Sequence, residues 1–194
     1  MQEFLFYIKL GLNHVLDFGA YDHILFLSAL AVPFTFKSWK RVLILATIFT
    51  VAHCTSLALS VYEAVMVDVG LIEFLIPVTI IFTARYNVFL IIKEKVNNNL
   101  FLQSIATGFF GLIHGFGFSN YFKMLMAEEE DKLGALIGFA AGIELSQVLI
   151  ILVILDLGYM VTNSLKIEQK YFTAVVSILI VLVTIPLLIA TFPM

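Results

Sequence analysis

An aspartate and a histidine stand side by side in "DFGAYDHILFLSAL", residues 17–30, at the mouth of a run apolar enough to enter a bilayer. Polar side chains placed there are costly unless something binds them. His14 lies just upstream, His53 and His114 fall in two further apolar runs, and Glu144 in another. Imidazole suits nickel, cobalt, zinc and copper, and carboxylate adds affinity for harder cations. A set of His14, Asp22, His23, His53, His114 and Glu144 therefore fits a borderline divalent ion. It also admits a second chemistry. Three histidines around zinc with an open fourth position, plus an acid to handle the proton, make a hydrolytic centre. His23, His53 and His114 could supply those ligands, with Asp22 or Glu144 as general base.

Local spacing supplies supporting candidates. No lysine or arginine lies at the depth of Glu144 in any apolar run, which leaves a proton or a metal ion as its natural partner. Gln147 is three residues on and shares its helix face. Thr50, His53 and Ser56 form a polar stripe at three-residue spacing, while Cys54 points about 100° away, as packing or as a soft ligand. Gly108, Gly111, Gly115 and Gly117 surround His114; small residues let helices approach closely, and here they also leave room for an ion. Glu73, Ile80 and Asn87 are seven apart and could line one stripe, although Glu73 fits equally well as an interfacial carboxylate favoured by a helix start. Pro77 is placed to kink the same run. The 19 phenylalanines read as core or lipid-facing.

The elements that must position these residues follow from composition. Of 194 residues, 61% are hydrophobic and 13% charged, with a mean hydropathy of +1.04; soluble domains run near 45–50% apolar and ~25% charged. The fold class is all-α, a polytopic membrane helix bundle with the lipid bilayer as its surroundings. A bilayer core of ~30 Å needs ~20 apolar residues per helix, and six runs qualify: 20–36, 41–61, 69–92, 100–122, 132–160 and 170–192. Residues 2–16, with Lys9 near their middle, read as an interfacial or partly inserted helix, or as a seventh span. Residues 1–194 form one domain, and Glu3 stands where a signal peptide would be basic. A net charge of −3 spread over loops gives no basic patch for nucleic acid. The single cysteine excludes an internal disulfide.

Lys37, Lys40, Arg41, Arg85, Lys93, Lys95, Lys166 and Lys170, eight of the eleven basic residues, fall at one end of the runs. The positive-inside rule makes that end cytoplasmic. The opposite connections carry Glu63, Asp68 and the "MAEEEDK" segment, a solvated outer loop or a funnel that gathers cations. With 1.5 Å per residue, His53 then lies ~18 Å and His114 ~21 Å along their outward runs. All six ligand candidates should meet in the outer half of the membrane, facing outside.

"GLNHVLDFGAYDHILFL", "FTVAHCTSLAL", "VGLIEFLIPVTIIFTARYN", "FFGLIHGFGFS" and "FAAGIELSQ" follow one another in an order and spacing that resembles the HupE/UreJ family of membrane proteins, over about residues 11–150. The resemblance implies a permease of the bacterial inner membrane that takes up nickel or cobalt, with His14, Asp22 and His23 matching the family's N-terminal metal motif. The chain departs from that pattern in four places. Val15 replaces a proline after His14, and His14 and His23 are nine rather than seven apart. Ala140 and Ser146 stand where the last motif has asparagine and glycine.

Overall fold

In lipid every backbone amide must be satisfied by the protein itself, and an apolar run of ~20 residues, twice the length of a spanning strand, does so as a helix. The computed structural model describes residues 2–94 and 99–193, and they form seven α-helices with no strand. These are α1 (Gln2–Leu16), α2 (Asp22–Ala31), α3 (Trp39–Val61), α4 (Val69–Ile92), α5 (Leu100–Met126), α6 (Lys132–Asn163) and α7 (Gln169–Ala190), with a single 3-10 turn at Phe36–Ser38. Five of them, from α3 to α7, are long and apolar enough to cross a membrane. Side-chain caps fix three of the starts. The carboxylate of Asp68 accepts from Leu71 N at 2.8 Å, the Asn99 amide from Leu102 N at 3.1 Å, and Asp131 from Gly134 N at 2.9 Å, each satisfying an otherwise orphaned donor. Lys95, counted above among the basic residues, lies outside the described residues.

The first predicted run is helical only over Asp22–Ala31. Pro33 stops it, since it offers no amide donor to carry the hydrogen-bond ladder on. Ten residues rise ~15 Å, half of a bilayer core. The missing half comes from α1. Along α6, a Cβ on Gly138 would meet Phe4 and Tyr7, one on Gly142 would meet Ile8 and Leu12, and Ser146 Oγ donates to Leu12 O at 3.1 Å. The two helices thus descend side by side in the same direction, starting from the acidic end, where Tyr7 donates to Glu129 at 2.6 Å. Further along α6, Ala31 of α2 packs with Ile151 and Leu155, and the Val32 carbonyl accepts from Gln169 and Thr173 at the start of α7. Helices α1 and α2 are therefore two halves of one discontinuous crossing, broken at residues 17–21, with His14 just before the break and Asp22 and His23 just after it.

Close packing of α3 on α5 depends on glycine. Going along α5, Gly108 faces Ile48, Gly111 faces Phe49 and Ala52, and Gly115 faces His53 and Ser56. A Cβ at Gly115 would collide with the His53 carbonyl and the Ser56 hydroxyl. The absence of side chains lets the backbones approach and sets His53 and His114 into the same layer of the bundle.

Candidate metal centre

Four helices each deliver one imidazole to the same region of the bundle. His14 comes from the end of α1, His23 from the first turn of α2, His53 from the middle of α3 and His114 from the middle of α5. Ring centroids stand 4.6 Å apart for His14 and His23, 5.6 Å for His14 and His53, and 5.6 Å for His23 and His53. His114 adjoins His23 at 5.3 Å. One ring nitrogen from each of His14, His23 and His53 can be chosen so that all three lie within 4.8 Å of one another. His23, His53 and His114 are 2%, 0% and 1% exposed, so water does not reach them freely.

Hydrogen bonds fix which nitrogens remain available. His23 Nδ1 donates to Asp22 Oδ1 at 3.3 Å, and His114 Nδ1 donates to the Phe110 carbonyl at 2.8 Å. In each ring Nε2 is left with its lone pair. That Nε2 is buried without a partner in His14, His23 and His114, and so are both ring nitrogens of His53. Each unmatched buried polar atom costs roughly 1–3 kcal/mol, and native interiors satisfy nearly all of them. The three rings of His14, His23 and His53, gathered within reach of one another, fit a cation, which would accept one lone pair from each ligating ring. The Asp22 carboxylate orients the His23 ring and fixes its tautomer, the arrangement that an outer carboxylate makes with a metal-binding imidazole.

The sequence profile described as HupE / UreJ protein matches residues 1–191. The chain belongs to the HupE/UreJ family. No curated protein and no solved structure matches it. Membership implies a transport-related function in nickel or cobalt handling.

The remaining candidates of this HupE/UreJ protein occupy other places. Both oxygens of Glu144 are engaged by α3 hydroxyls: Thr47 Oγ1 donates to Oε1 at 2.6 Å and Thr50 Oγ1 to Oε2 at 2.7 Å. Its carboxylate thus sits in the seam between α3 and α6, and the group of ligand atoms around His53 does not include it. Cys54 is a half-buried free thiol outside that group. Glu73 is exposed on the second turn of α4. Ser56 donates to the His53 carbonyl at 2.8 Å, and Asn87 donates to the Ala29 carbonyl at 2.8 Å, so both hold backbone in place. Gln147 is fully buried, and neither of its amide atoms has a partner.

Sequence reasoning passed over the aromatic residues that enclose the histidines. His14 packs on Phe118 at 3.9 Å, and Phe118 stacks on Phe139 at 5.5 Å. On the other side, Phe49 lies 5.2 Å and Phe26 5.2 Å from His114. The signal was a helical spacing: Phe49 and His53 are four apart, Phe110, His114 and Phe118 are four apart in turn, and His23 and Phe26 are three apart. Thr47, four residues before Val51 on the lipid-facing side of α3, is the other omission; only its contact with Glu144 reveals it.

Proposed function

We propose that this HupE/UreJ protein is an uptake permease for a divalent transition metal, with nickel, cobalt or zinc as substrate. The observation that carries the reading is the set of three imidazoles from three separate helices, each with a buried unpartnered nitrogen and with one ring nitrogen apiece within 4.8 Å of the others. His14, His23 and His53 bind the ion, His114 stands beside them as the next station, and Asp22 orients His23. The acidic end faces outside and the basic end the cytoplasm, by the loop charges. Imidazole nitrogen favours borderline divalent ions over magnesium or calcium, and a discontinuous crossing is a recurrent way to place such a site at mid-membrane.

Glu144 supplies the proton side of the cycle. A carboxyl at this depth costs several kcal/mol when charged and facing lipid, and the Thr47 and Thr50 hydroxyls can donate to the ionised form or accept from the protonated one. The test is metal accumulation in proteoliposomes containing a metal-sensitive dye. Glu144→Gln is expected to slow accumulation about tenfold, a barrier change of ~1.4 kcal/mol, while metal affinity in detergent stays that of the wild type. Equal accumulation in the variant would remove Glu144 from the mechanism. The hydrolase reading is less well supported. Both oxygens of Glu144 are engaged by threonines and Asp22 Oδ1 by His23, so a general base beside the histidines would have to be Asp22 while it still orients His23.

A further inference from the structure

A cavity of about 470 Å³ opens between α2, α4, α5 and α7 at the basic end of the bundle. Gln103, Lys170 and Ile91, all at helix ends, belong to its lining, together with the outward-facing Phe82 and Leu102 and the buried Asn87. Its far wall is made by Phe26 and Phe110. These are the same residues that touch the fourth histidine: the Phe26 ring lies 5.2 Å from the His114 ring, and the Phe110 carbonyl accepts from His114 Nδ1. Phe26 also stacks on Phe49 at 4.9 Å, and both are wholly buried. One layer of aromatic rings thus lies between the His114 imidazole and this cavity. Three of the histidines have a phenylalanine one helical turn nearer that end: His23 has Phe26, His53 has Phe49 and His114 has Phe110. Such a layer excludes water and bars an ion until a ring moves, as hydrophobic constrictions do in channels.

The geometry points to Phe26, supported by Phe49 and Phe110, as the gate through which the divalent cation passes from His114 into this cavity, the release path toward the basic end. The inference rests on the transport reading above and adds to it the exit and the residue that closes it. Removing the ring should lower the barrier to passage without touching the ligands. In proteoliposomes of the full chain, Phe26→Ala is expected to raise the rate of Ni²⁺ movement about tenfold, while Kd for Ni²⁺ in detergent is unchanged. Phe26→Leu, which keeps most of the volume of this buried side chain, is measured beside it and should fall between the two. In a Cys54→Ser background, Ala106→Cys, on the cavity wall, should react with a charged, membrane-impermeant thiol reagent added from the Lys170 side. A wild type that moves Ni²⁺ while both Phe26 variants move it at the same rate overturns the gate alone. So does an Ala106→Cys thiol that reacts only with a lipid-soluble reagent, because the cavity would then hold an acyl chain. A wild type that moves no Ni²⁺ removes the transport reading and the gate with it.

Discussion

His53→Ala is expected to weaken Ni²⁺ binding by a factor on the order of 100 or more, about 2.7 kcal/mol. Loss of an outer-sphere partner typically costs 10–100-fold in metal affinity, and His53 is placed as a direct ligand, so its removal belongs at or above the top of that range. The variant separates binding from folding well. Neither ring nitrogen of His53 has a hydrogen-bond partner, so alanine breaks no polar contact and removes two unmatched buried atoms, against the packing lost when the ring goes. The melting temperature of the metal-free protein should therefore move little. With metal present the two proteins should diverge. An ion at 100 times its Kd stabilises the wild type by about 2.7 kcal/mol, and that rise in melting temperature should vanish in His53→Ala. A variant that keeps the metal-induced rise would exclude His53 from the ligand set.

Gly115→Ala should damage the fold and the site together. The added methyl would occupy the space of the His53 carbonyl and the Ser56 hydroxyl, and the carbonyl is backbone, so α3 and α5 must separate. Overpacking of this kind costs typically 1–3 kcal/mol. Because the collision falls on the residue that carries one imidazole and lies next to the residue that carries another, metal affinity should drop along with the melting temperature. Gly108→Ala is the matched control on the same face. Its nearest neighbour would be Ile48 Cγ2 at 3.5 Å, an ordinary contact, and both readouts should stay near wild type. If the two alanine variants behave alike, the glycines serve general helix packing and the Gly115 contact does not set the site.

The long helices were legible because bilayer thickness and capping residues constrain them from both sides. Val69–Ile92 follows directly from an apolar run that starts after Asp68. The discontinuous crossing was harder to read. Residues 20–36 read as a span of their own and residues 2–16 as an interfacial or partly inserted helix, and what joins them into one crossing is the track of Gly138, Gly142 and Ser146 on α6, a contact between segments more than 120 residues apart. The meeting of the histidines was legible for a physical reason: unpaired imidazoles in a membrane must find a common partner or be satisfied singly, and one nitrogen of His23, on Asp22, and one of His114, on the Phe110 carbonyl, follow the second course. The neighbourhood of Glu144 was not legible, because depth along a helix says nothing about which neighbouring helix its side chain faces. Nor were the aromatic layers, since a chain with 19 phenylalanines places one near almost any histidine by composition alone.

X-ray absorption at the nickel edge, on purified protein loaded with one equivalent of Ni²⁺, addresses the binding site most directly. Histidine rings give a multiple-scattering pattern that distinguishes them from water or carboxylate oxygen. The expected spectrum carries the signature of three imidazoles per ion and loses one ring in each of His14→Ala, His23→Ala and His53→Ala. A coordination shell of oxygen alone, or a histidine signature unchanged in all three variants, would contradict a site built from these residues.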